Sequence, residues 1–192
     1  MKIIVSSFVT FLTLSSTAFA ATVTIDFEAF NDGDLINTIG NATFTSNSNV
    51  EIYNFSSLAN SGVNTIARSG GNFDGDLFVD FSTPVSSLSF FSGADDNTQQ
   101  ASINVFTDGV FSTTVGLVGD GDSTTTDFQD LTSFVDVTRI EIVDVTDAGG
   151  LLYDDFSYTV DPQVVPLPAA GWLLLGGIAG LGGLSRRKKK VG

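Results

Sequence analysis

The residues of this chain that could do chemistry are carboxylates. Aspartate recurs in three Asp-Gly-Asp tripeptides, Asp32-Gly33-Asp34, Asp74-Gly75-Asp76 and Asp120-Gly121-Asp122, and as the pair Asp154-Asp155. Hard oxygen ligands on a tight turn suit calcium. Taken singly, each tripeptide reads first as an acidic turn between strands. None completes an EF-hand, since twelve residues counted from Asn72 end at Thr83 and not at Glu. The missing residue types narrow the chemistry further. With no His and no Cys there is no ordinary zinc site, no Ser-His or Cys-His nucleophile pair and no disulfide. Lysine occurs only at Lys2 and at Lys188, Lys189 and Lys190, which leaves the interior without a Schiff-base lysine. Only a carboxylate pair of the glycosidase kind survives. No pair stands out for that work, so the chain reads as a non-enzyme.

Strands must position these groups. Val23-Thr24-Ile25-Asp26-Phe27 alternates, with Val23, Ile25 and Phe27 on one face. The pattern recurs over Ala42–Thr45, Val50–Phe55, Asp76–Phe81, Val85–Phe91, Ala101–Thr107, Val110–Val118, Arg139–Val145 and Leu151–Val160. Valine, threonine and phenylalanine are abundant, as a half-buried pleated surface prefers, and nothing between Ala21 and Gln163 sustains a 3.6 period. Many short strands separated by turns predict an all-β fold, a jelly-roll type two-sheet sandwich. Asp108-Gly109 is the clearest hairpin turn.

In the last strand Asp154 shares the face of Phe156 and Tyr158, and Asp155 points the other way. A carboxylate aimed at a core needs an ion or hydrogen-bond donors; a solvent-facing edge is the other reading. The opening Ile25-Asp26-Phe27-Glu28 and the closing Leu152-Tyr153-Asp154-Asp155-Phe156-Ser157-Tyr158 resemble the paired first and last strands of galactose-binding-like sandwiches. That resemblance implies a structural calcium held between the two strands, with Asp26, Glu28, Asp154 and Asp155 as candidate ligands. Tyr53, Phe55, Phe73, Phe90, Phe91 and Tyr153 are candidates for a sugar-stacking platform, although core is the default for phenylalanine. The one Trp, Trp172, lies far downstream of them, which counts against glycan binding.

Both ends carry targeting signals. Lys2, the apolar run Ile3–Leu14 and the small-x-small triplet Ala18-Phe19-Ala20 read as a signal peptide over residues 1–20, cut by signal peptidase before Ala21. At the other end no charge occurs from Gln163 to Ser185, and Arg186, Arg187, Lys188, Lys189 and Lys190 follow. Such a cluster holds its side of a span in the cytoplasm. The 16 residues Ala169–Leu184 give ~24 Å of helix, and the preceding Pro-bounded residues extend it toward the ~30 Å hydrocarbon core. This predicts one C-terminal transmembrane helix over about 169–185. Val165-Pro166-Leu167-Pro168-Ala169, the span and the basic tail, in that order, resemble the PEP-CTERM family of sorting signals in its Val-Pro-Leu-Pro-Ala variety. The resemblance covers 164–192. It implies a Gram-negative bacterium that makes exopolysaccharide, transient residence in the inner membrane, and cutting near the motif by an exosortase.

The signals bracket one domain, 21–163. All 22 acidic residues lie in it, against only Arg68 and Arg139, so it carries −20. Such a field repels nucleic acid and attracts divalent cations or basic partners; solubility of an exported protein explains it equally well. The expected protein is a non-enzymatic component of the cell surface or exopolysaccharide matrix. A calcium-stabilised carbohydrate-binding module is the alternative, with calcium the only cofactor and exopolysaccharide the ligand.

Overall fold

A computed structural model describes residues 20–71, 73–95, 101–146 and 149–160. The signal peptide up to Phe19, the motif Val165–Ala169, the expected span and the basic tail lie outside the described residues.

Twelve strands follow in order: β1 (Ala21–Ile25), β2 (Leu35–Ile36), β3 (Thr38–Ile39), β4 (Ala42–Ser46), β5 (Val50–Asn54), β6 (Asn64–Arg68), β7 (Leu77–Gly93), β8 (Ser102–Thr107), β9 (Val110–Gly116), β10 (Thr126–Leu131), β11 (Val137–Val143) and β12 (Leu152–Val160). The architecture is all-β, consistent with a β-sandwich. Among the described residues no helix is long and apolar enough to cross a membrane.

Two strands organise the pairing, which is antiparallel throughout the named pairs. The main path runs β2-β5-β6-β12-β7-β11-β8-β9, with β1 on β12, β10 on β7, and β3 and β4 joined to β7. The sequence suggests two strands where the structure has the single 17-residue β7. Its first part, Leu77–Phe81, pairs with β4 and β11. Its second part, Val85–Gly93, pairs with β12 and β10. Between them the register against β11 shifts, and Pro84, which has no N–H to give a ladder, lies in that stretch. One continuous strand thus serves two groups of partners, changing neighbours at its own proline.

The alternation read from the sequence becomes the core. Ile25, Phe27, Phe44, Val50, Ile52, Val79, Leu88, Phe90, Val105, Ile140, Ile142, Phe156 and Tyr158 are among its buried members. At the centre the Phe156 ring stacks on Phe90 at 4.9 Å and meets Phe44 at 5.3 Å and Phe27 at 6.2 Å edge to face. The β8–β9 hairpin turns at Asp108 and Gly109, both with positive φ (52° and 77°), the conformation for which Asp-Gly is favoured.

Candidate functional site

The last strand carries the site that the sequence singled out. Asp154 is buried and Asp155 half-buried. Strict alternation would put Asp154 on the face of Phe156 and Tyr158, but the structure does not. Asp154 lies opposite Phe91 and Tyr153 opposite Ser92, while Phe156 stacks on Phe90, so Tyr153 and not Asp154 shares that core face. The pairing of β12 with β7 shifts register between Asp154 and Ser157, and Asp155 takes a positive φ of 49°. Asp tolerates that region better than most residues. The bulge allows both carboxylates to reach one loop, Asn60–Ser61. Asp154 Oδ2 accepts the backbone N–H groups of Asn60 at 2.8 Å and Ser61 at 3.1 Å, and its Oδ1 accepts the Asp155 N–H at 2.7 Å. Asp155 accepts from Asn60 Nδ2 at 2.6 Å and Ser61 Oγ at 2.7 Å.

Glu28 continues the clasp. Its Oε1 accepts the N–H groups of Val63 at 3.0 Å and Asn64 at 2.8 Å. A Cβ at Gly62 would overlap the Glu28 carboxylate, and Gly62 has φ +57°, so the approach requires glycine. Asn64 Nδ2 donates to the carbonyls of Phe27 at 3.2 Å and Phe30 at 3.0 Å. Asp26 is exposed and accepts the Glu28 N–H at 3.2 Å. The donors that a buried Asp154 demanded are therefore backbone amides of the β5–β6 loop. Three of the four acids expected to ligate calcium, Glu28, Asp154 and Asp155, fasten that loop to the strands β1 and β12. No three of the four bring oxygens together; among the described residues the only such group is Asp95, Asp120 and Asp127. Asn60, Ser61 and Asn64 escaped the sequence reading because their partners lie far away in the chain.

Burial pushes the Asp154 carboxyl up from 3.8 to about 7, with the Asp155 charge adding to the rise and the N–H groups of Ser61, Asp155 and Asn60 opposing it. A folded-state value above the unfolded one gives a contribution that is complete below about 3.8 and is lost as pH rises through about 7. Asn at this position cannot titrate. The melting temperature of Asp154→Asn relative to the parent should therefore rise between about pH 5 and pH 8. A difference that stays flat across that range would show that Asp154 is already ionised throughout.

The aromatic candidates separate into two environments. Phe90 and Tyr153 are core residues, at 0% and 2% exposure. Tyr53, Phe55 and Phe73 meet at the surface. Phe73 lies edge-on to Tyr53 at 4.7 Å and to Phe55 at 5.8 Å, and the Tyr53 and Phe55 rings, 6.2 Å apart, are inclined by only 31°. Phe55 remains 37% exposed. The Tyr53 hydroxyl accepts the Gly70 N–H at 3.3 Å and donates to Glu51 Oε2 at 3.2 Å. Phe91 packs apart from them, against Phe128 at 5.2 Å.

No protein-family model matches the chain, and no curated protein does. Among solved structures it is similar to the K2 cleaved adhesin domain of Lys-gingipain, at 15% identity and a TM-score of 0.47, covering 73% of this chain and 99% of that one. It is also similar to a CBM61 module in complex with β-1,4-galactotriose, at 12% identity and a TM-score of 0.34, covering 62% and 84%. A third is the CBM36-1 domain of a multidomain xylanase from the hindgut metagenome of Trinervitermes trinervoides, at 14% identity and a TM-score of 0.30, covering 76% and 100%.

Proposed function

We propose that this chain is an exported, non-enzymatic protein of the cell surface or exopolysaccharide matrix of a Gram-negative bacterium. It is carried on a jelly-roll type sandwich and processed by an exosortase at Val165–Ala169. The observation that carries this reading is the order of parts in the sequence: a leader ending in Ala18-Phe19-Ala20, one acidic domain, then the proline motif, the apolar run and five cations. The strand limits support it. β1 begins at Ala21, the first residue after the signal-peptidase cut, and pairs with β12 so that Ala21 faces Val160. Cutting before Ala21 and beyond Val160 leaves both strands whole. The test is the intact mass of the protein recovered from the envelope. The expected species begins at Ala21 and has lost Arg186–Lys190. A recovered species that retains those five cations would overturn the exosortase reading.

The aromatic surface favours a second reading, a calcium-stabilised carbohydrate-binding module. The rings of Tyr53 in β5 and of Phe55 just after it, inclined by 31° and partly exposed, present π-surface of the kind that stacks on a sugar ring, and Glu51 stands beside Tyr53 to accept hydroxyls. Phe55→Ala should abolish retention by the organism's exopolysaccharide in a pull-down and leave the melting temperature nearly unchanged, as for other exposed positions. Equal retention of parent and variant would remove Tyr53–Phe55–Phe73 as the platform.

A further inference from the structure

A second group of carboxylates converges away from the clasp. Asp95 follows the end of β7, Asp120 lies in the β9–β10 loop, and Asp127 is the second residue of β10. Their meeting follows from register: β10 runs antiparallel to β7 with Thr126 opposite Gly93 and Asp127 opposite Ser92. The buried Gln129 draws the loop inward, donating from Nε2 to Ser92 Oγ at 2.8 Å and to the Val118 carbonyl at 2.6 Å, and accepting the Val118 N–H at 2.8 Å. One oxygen from each of Asp95, Asp120 and Asp127 then lies within 4.8 Å of the others. Oxygens on opposite sides of a calcium ion stand roughly 4.6–5.2 Å apart, so one ion spans this group.

Acidic residues often gather without an ion, and here Asp95 decides. Its side chain is fully buried, at 0% exposure. Oδ2 accepts the Gly121 N–H at 3.0 Å, whereas Oδ1 is buried with no hydrogen-bond partner. An unpaired carboxylate oxygen out of water is costly. Its neighbours in the group make the cost greater: burial first, then Asp127 and Asp120, hold the Asp95 carboxyl above its ordinary range. No side-chain cation of the domain is free to relieve it. Arg68 pairs with Asp74, and Arg139 with Asp80 and Glu141. The other two acids are partly served. Asp127 Oδ2 accepts the Asp120 N–H at 3.2 Å, and Asp120 accepts from the Asp122 N–H at 2.8 Å and from Thr125 Oγ1.

We propose that Asp95, Asp120 and Asp127 form a calcium site that ties the end of β7 to the β9–β10 loop. All three ligands are hard oxygens, the class that calcium takes. A cation here would act whether or not the domain binds sugar, and whether or not an exosortase processes the chain. The rival arrangement is a protonated Asp95 sharing its proton with Asp127.

The test is calorimetric titration of the purified full-length chain with calcium chloride, together with melting curves in calcium chloride, magnesium chloride and sodium chloride at matched ionic strength. The expected result is one saturable calcium site and a rise of several degrees in melting temperature that neither magnesium nor sodium reproduces. Asp127→Asn and Asp95→Asn should weaken binding at least ~10-fold. Should the buried Asp95→Asn fail to fold, the exposed Asp120→Asn supplies the same test. Asp155→Asn should bind calcium as the parent does. Equal shifts in all three salts would overturn the site and leave the shared proton. Calcium binding that survives Asp120→Asn and Asp127→Asn, or is lost in Asp155→Asn, would overturn it too.

Discussion

Phe156→Ala is expected to cost about 3–5 kcal/mol of stability, the range for removing a large aromatic from a packed core. Phe156 is fully buried in β12, and its ring touches three others: Phe90 by stacking, Phe44 and Phe27 by edge. Those partners come from β7, from β4 and from the residues just after β1, so the cavity would open where four segments meet. In a domain of this size the melting temperature should fall by roughly 10–20 °C. Since total stability is commonly ~5–15 kcal/mol, the alanine variant could unfold outright. Phe156→Leu keeps most of the volume and should lose about half as much. The control is Phe111→Ala: Phe111 is 54% exposed on β9, where a change within ~0.5 kcal/mol is the norm. Equal losses at Phe156 and Phe111 would refute the four-ring core.

The other large effect is on processing. Proline has no N–H and disfavours a continuing helix, and the proposed reading takes Pro166 and Pro168 as the break that the protease recognises. Replacing both by Ala introduces good helix formers, which on the proposed reading removes the break that presents the motif to the exosortase. Export and signal-peptide removal should proceed, since Met1–Ala20 is untouched. Tag removal should fail, and the envelope protein should retain the mass of the span and of Arg186–Lys190. Release of the tag at the parental rate in this double variant would show that the prolines are not what the protease reads.

Much of the sheet was legible because period-two alternation survives wherever one face is buried. It marked β1, β4, β5, β8, β11 and β12. β6 left no such mark: Asn64, Thr65, Ile66 and Ala67 are all buried, so both faces are covered and a polar pair opens the strand. β10 was obscured by Asp127 and Asp130 among its apolar residues. β7 read as two strands because Pro84 argues locally for a break, and the local argument carries no information about neighbours that let the strand continue. At the site, strict alternation puts Asp154 with Phe156 and Tyr158, but the extra residue at Asp155 turns it to the other face, so its orientation could not be read from spacing. Nor could its partners, since Asn60 and Ser61 lie 94 and 93 positions away. The same limit hid Asp95 and Asp127: Asp120-Gly121-Asp122 was visible as an acidic turn, but only the β7–β10 register brings the other two acids beside it.

The pairing of β1 with the final strand also sets the order in which the domain can assemble. Ribosomes deliver the N-terminal end first, and β1 has its named partner only in β12, with Thr24 bonded to Ser157 across 133 positions. β12 is also the strand that joins β6 to β7, and it brings Phe156 and Tyr158. Until Leu152–Val160 is made, Phe27, Phe44 and Phe90 face an open cleft, and β1 and β6 present bare edges able to pair with another chain. Long-range closure of this kind is slow, and exposed apolar surface and unpaired edges invite aggregation meanwhile. A domain truncated before Leu152 should therefore be protease-sensitive and prone to aggregate, and resistance should appear in one step when the last strand is included.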